Sequence, residues 1–110
     1  MRILIAGASG FLGTALTRHL ETAGHLVVPL RRGPAGSATP TWDPAEGRLD
    51  PTALDGVDAI VNLAGESIAG GPWTAARRRR ILESRRAGTT LLAEAAARRP
   101  DEIAVFVNAS

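Results

Sequence analysis

The chain has 110 residues, a formal net charge of +2, and thirteen basic residues that are all arginine. It contains no cysteine, lysine or tyrosine, which excludes disulfides, thiolate metal sites, a cysteine nucleophile and any local chemistry needing a phenol or an ε-amine. Aromatic residues make up 4% of a sequence that is 45% apolar, so a core must be built from Ala, Leu, Val and Ile, which suits helices packed on a parallel sheet. One domain of common size is expected.

Arg2 to Ala6 is a short apolar run ending at Gly7 and reads as a fully buried strand. No signal-peptide pattern precedes it and no apolar run is long enough to span a bilayer, so no membrane association and a cytoplasmic location are expected. From Gly10 onwards, Leu12, Leu16, Leu20 and Ala23 fall at helical spacing, and Gly24 stands where a helix-ending glycine belongs. Leu26 to Leu30 follows as a second strand and completes a strand–turn–helix–strand unit.

Residues 33–51 are rich in glycine and proline and read as loop, with Thr39 to Trp42 suited to a short third strand. Asp50-Pro51 resembles a cap and first residue opening a one-turn helix closed by Gly56. Ala59 to Ala64 is the next buried strand. Thr74 is placed to cap a long helix running to about Arg98, with Ile81, Leu82, Leu91, Leu92 and Ala95 on its core face and Pro100 ending it. Ile103 to Val107 is the fifth strand. This alternation predicts an α/β, Rossmann-like doubly wound parallel sheet of order 3-2-1-4-5, with the ligand crevice beside the first strand where the order reverses.

Gly7-Ala8-Ser9-Gly10-Phe11-Leu12-Gly13 has the pattern G-x-x-G-x-x-G, placed between strand and helix as a dinucleotide-binding turn requires. Gly7 permits the tight turn, Gly10 lets backbone amides approach a pyrophosphate, and Gly13 lets the helix lie close to the strand. The helix N-terminus adds free N–H groups for the phosphates, which makes Gly7, Ser9, Gly10, Phe11, Leu12 and Gly13 the candidate cradle. A ligand-free glycine turn is the plainer alternative, and a P-loop is excluded because no lysine follows.

At the end of the second strand, where NAD-binding units carry an acid for the ribose 2′-hydroxyl, the chain reads Leu30-Arg31-Arg32. Guanidinium groups can grip a 2′-phosphate that a carboxylate would repel. One charge-assisted hydrogen bond of roughly 1.5–3 kcal/mol would favour NADP(H) by roughly tenfold to a hundredfold. Arg31 is the first candidate and Arg32 the second, against the alternative that both are solvated loop arginines.

The glycine run together with Asn62-Leu63-Ala64-Gly65 resembles the short-chain dehydrogenase/reductase superfamily, on its extended or atypical branch. Trp42-Asp43-Pro44, Asn62 to Glu66, Trp73, Ile81 and Ser84-Arg85 narrow the resemblance to epimerase family proteins, a subgroup related to nucleoside-diphosphate-sugar epimerases. That resemblance implies NADP(H) as cofactor, with its ribose and nicotinamide against Leu63, Ala64 and Gly65 and with Arg85 reaching back towards it. An exposed helix arginine is the alternative for Arg85. Asn62 is expected to stabilise its turn, while Glu66 and Ser67 read as solvated loop.

The resemblance also implies a catalytic serine just past the fifth strand, which would be Ser110, followed by a tyrosine and a lysine that these residues do not contain. The expectation is a chain that ends mid-fold and leaves an apolar sheet edge to be covered. The complete protein would be an NADP(H)-dependent oxidoreductase or epimerase acting on a small hydroxyl or carbonyl compound such as a nucleotide sugar. A non-catalytic NADPH-binding redox sensor is the alternative. Arg77 to Arg80 span a full helical turn without interleaved aromatics, so nucleic acid is not an expected partner. A homodimer across the long helix is what the family suggests. His19 and His25 have no partners at metal-ligand spacing.

Overall fold

The computed structural model describes residues 1–64 and 73–109. Its elements in chain order are β1 (Arg2–Ala6), α1 (Phe11–Thr22), β2 (Leu26–Arg32), β3 (Thr41–Asp43), a single 3₁₀ turn (Pro44–Glu46), β4 (Arg48–Leu49), β5 (Ala59–Asn62), α2 (Ala75–Ala97) and β6 (Val105–Asn108). They form a six-stranded sheet of order β4-β3-β2-β1-β5-β6. All neighbours are parallel except β3 and β4.

The five expected strands thus stand in the expected order. The addition is β4, which folds back antiparallel on β3 and makes an otherwise parallel sheet mixed. Asp43 initiates that hairpin by accepting the Glu46 N–H. Pro44 supplies the first turn position, and Gly47 closes it in the left-handed region at φ +65°. A two-residue strand is too short to show alternation, so a glycine- and proline-rich stretch reads as loop.

Local chemistry places the other boundaries. At the end of α1, Gly24 adopts φ +91° and donates to Glu21 O, while His25 donates to Leu20 O, the paired pattern of a Schellman stop. Thr74 caps α2 by accepting the Arg77 N–H at 3.1 Å. Pro29 is tolerated inside β2 because β3 pairs only with Arg31 and Arg32, leaving β2 single-sided at the proline's level. Residues 51–56 form consecutive turns and not the expected one-turn helix. Asp50 does initiate them, accepting the Thr52 N–H at 3.0 Å and the Thr52 hydroxyl at 2.8 Å. Those two bonds hold its carboxyl below the usual carboxylate pKa.

The alternation of β1 divides the core between the two sheet faces. Leu4 and Ala6 point towards α2 and join Leu30, Trp42, Leu54, Val57, Ile60 and Leu92 in the main cluster. Ile3 and Ile5 point towards α1 and meet Ala59, with half-buried Leu16 and Leu20 laid over them. On α2, Ile81, Leu92 and Ala95 are buried as expected, and Gly88 leaves room for the Trp42 ring: a Cβ there would stand 3.2 Å from it. Leu82 is a correction, 56% exposed because the next residue on a helix turns by about 100° from Ile81. Leu12 (59% exposed) and Ala23 likewise lie outside the packed face of α1, and Gly13 takes the buried position in its first turn.

Candidate functional site

At the carboxyl ends of β2, β1 and β5 lies a cleft of about 720 Å³. Its floor is the glycine turn, Gly7 to Gly10. One wall is the end of β2 with Leu30, Arg31 and Arg32, joined by Trp42, and the other is Leu63-Ala64 after β5. Open α/β sheets bind ligands at this position, because strand order reverses there and the following segments diverge.

The three glycines have different reasons for being glycine. Gly7 has φ +82°, and a Cβ on it would lie 2.8 Å from the Leu63 carbonyl carbon and 2.9 Å from the Ala64 nitrogen. It is therefore required both by its own backbone and by the β5 turn passing over it. A Cβ on Gly13 would sit 2.2 Å from Gly7 O, so the close seating of α1 on the turn depends on that glycine. Gly10 differs. Its φ of −73° suits any residue, and its added Cβ would meet only Gly7 O, at an ordinary 3.6 Å. Nothing among the described residues requires glycine at position 10, yet it lines the cleft and caps α1 without a side-chain oxygen. The first-turn amides of α1 therefore have no side-chain cap.

Arg31 and Arg32 occupy successive strand positions and so diverge to opposite faces of the sheet. Arg31 also lines a groove of about 900 Å³ between α1 and β2, with Ser9, Thr14 and Arg18. Arg32 also borders a depression on the α2 side with Pro44, Ala45 and Glu83. The loop that follows them is held down by Arg48, whose guanidinium donates to Gly33 O and, at 3.5 Å, to the Thr41 hydroxyl. Thr41 in turn donates to Pro34 O at 2.9 Å. Neither Arg48 nor Thr41 was apparent as a site element, because their partners are backbone carbonyls that no spacing rule indicates.

Of the residues anticipated from sequence, Gly7, Ser9, Gly10, Arg31, Arg32, Leu63 and Ala64 surround the one cleft. Phe11 (96% exposed) and Leu12 stand at the start of α1 outside its lining, so their backbone amides are what they can offer it. Gly13 lies beneath the turn. Arg85 is half-buried on α2 and does not line the cleft. Gly65, Glu66, Ser67 and Ser110 lie outside the described residues.

Asn62 is 2% exposed and its side chain is fully engaged. Its Oδ1 accepts the Ala64 N–H at 3.1 Å, and its Nδ2 donates to Asn108 Oδ1 at 2.9 Å and to Thr89 Oγ1 at 3.4 Å. It stabilises the turn, as expected, and its burial turns it away from the cleft. Thr89 and Asn108 went unanticipated, since only the sheet and helix together bring them to Asn62.

A family model described as the NAD dependent epimerase/dehydratase family matches residues 3–110. An epimerase family protein of Mycobacterium bovis is 42% identical over 109 residues, covering 98% of this chain and 36% of the relative. The epimerase family protein SDR39U1 of Bos taurus is 43% identical over 102 residues, covering 91% of this chain and 33% of the relative. The crystal structure of human epimerase family protein SDR39U1 with NADPH superposes with a TM-score of 0.77 at 38% identity, covering 98% of this chain and 36% of that one. The chain thus spans about a third of the length of these relatives. By the extent of that match, the chain belongs to the NAD dependent epimerase/dehydratase family.

Proposed function

We propose that this chain is the NADP(H)-binding part of an oxidoreductase or epimerase acting on a small hydroxyl or carbonyl substrate such as a nucleotide sugar. The observation that carries the reading is Gly10, a glycine that nothing among the described residues requires and that an approaching pyrophosphate does. The pyrophosphate would lie over Gly7 to Gly10 against the amides of Phe11, Leu12 and Gly13. Arg31 would hold the 2′-phosphate of the adenosine half, with Arg32 as the second candidate. Leu63, Ala64 and Gly65 would bound the nicotinamide half, and Arg85 would reach it from α2. The human relative solved with NADPH supports the choice of dinucleotide. When bound, the cofactor supplies hydride exchange with a carbon bearing a hydroxyl or carbonyl, and Ser110 is the candidate here to orient that group. The same reading includes a homodimer contact on α2, where Leu82 is exposed, and a cytoplasmic location.

Calorimetric titration with NADPH and NADH tests this. Wild-type protein is expected to prefer NADPH by roughly tenfold to a hundredfold, the contribution of one charge-assisted contact. Arg31→Asp should abolish the preference. Gly10→Asn gives α1 a side-chain cap, so its thermal stability should hold or rise slightly while both dinucleotides are lost. Wild-type affinity in Gly10→Asn would overturn the reading.

A further inference from the structure

A closed ring of hydrogen bonds ties three elements together behind the Leu63-Ala64 wall. Asn62 at the end of β5 donates to Asn108 at the end of β6 and to Thr89 on α2, and Thr89 Oγ1 donates to Asn108 Oδ1 at 3.0 Å. The ring fixes its own orientation. Asn108 Oδ1 accepts from both neighbours, Asn62 Nδ2 uses one hydrogen on each partner, and the single Thr89 hydroxyl proton is committed to Asn108. Asn62 Oδ1 is then turned to the Ala64 N–H, and the backbone follows, with the Ala109 N–H on Asn62 O at 3.0 Å and the Leu63 N–H on Ala6 O at 2.9 Å. The conformation of Leu63-Ala64 is therefore set by α2 and β6 as well as by β5. The same wall presses on Gly7, where there is no space for even a methyl group.

We infer that Thr89 and Asn108 are positioning residues that, through Asn62, set the wall against which the second half of the dinucleotide lies. This rests on the NADP(H) reading above. With the adenosine 2′-phosphate on β2 and the pyrophosphate on the β1 turn, the remaining half has to extend towards the β5 side of the cleft, where the clamped wall stands. The clamp lies on the far side of β1 from Arg31 and Arg32, so it acts more on the second half of the ligand than on the half the arginines would hold.

The test compares two probes on the full chain. NADPH contains both halves, whereas adenosine 2′,5′-bisphosphate contains only the half that the arginines would hold. Thr89→Val keeps the shape and removes the hydroxyl, and Thr89→Ser restores it. Thr89→Val is expected to weaken NADPH about tenfold, the value of roughly one hydrogen bond, while the bisphosphate changes less than about twofold. Thr89→Ser should return NADPH affinity to wild type, and Asn108→Leu should reproduce the selective loss. Equal losses for both probes, or no loss for either, would overturn the clamp. Failure of the wild-type chain to bind the bisphosphate would overturn the cofactor reading and the clamp with it, so the two failures are distinguishable.

Discussion

On one side of the sheet α2 presses Leu92 onto Leu4, Leu30 and Ile60, with the Trp42 ring filling the space that Gly88 leaves open. On the other side α1 covers Ile3 and Ile5 with half-buried Leu16 and Leu20, and beyond it runs an open groove edged by Thr14 and Arg18. Val105 and Val107 of β6 share that second side and remain partly exposed, with no described helix over them. The difference is one of task. The α2 side carries most of the burial that holds the domain together, whereas the α1 side gives up packing so that a helix N-terminus and a glycine turn can stand open at the cleft. Open amides and space are found where the core is thin, because a dense core removes both.

The comparison can be broken first at Trp42. Trp42→Ala removes the largest fully buried side chain and should cost about 3–5 kcal/mol, read as a lowered denaturation midpoint with an unchanged slope. A loss below about 1 kcal/mol would mean that the α2 side is not the principal core. A paired truncation sharpens it. Leu92→Ala should cost about 2–5 kcal/mol, and Leu16→Ala distinctly less, because Leu16 is only half-buried. Equal losses would contradict the asymmetry. The smallest effect concerns Asp50, on the loop feeding Ala53 and Leu54 into the α2-side core. Its folded-state pKa is depressed by the Thr52 N–H and hydroxyl, so its stabilisation is present above the unfolded pKa and is lost as pH falls through the folded one. Asp50→Asn should therefore lower stability slightly at neutral pH, leave it nearly unchanged in acid, and so flatten the acid limb of the stability–pH profile.

The α1 side was the more legible of the two in sequence. Its signals are local: an apolar run, three glycines at fixed spacing and a glycine stop at position 24. The α2 side depends on residues that meet only after folding. Trp42 belonged to a recognisable Trp-Asp-Pro run, but its burial against Gly88 follows from how α2 crosses the sheet. Ala53, Leu54 and Val57 sit among turn formers and show no periodicity, yet they are nearly inaccessible. Arg31 and Arg32 were legible as a pair, whereas their divergence to opposite faces needed the strand to extend to Arg32. The Asn62–Thr89–Asn108 ring joins residues 19 to 46 positions apart, and nothing local foreshadows it.

Trp42 has one more consequence, and it is optical. The chain has no tyrosine and two tryptophans, so its near-ultraviolet emission comes from two unlike environments. Trp73 is 55% exposed just before α2 with the Arg77 guanidinium 5.6 Å from its ring, while Trp42 is enclosed and is among the residues lining the cleft. External quenchers will silence the first and spare the second. A reduced nicotinamide in the cleft would accept excitation from the second, so the fold carries its own donor for following ligand arrival without a label.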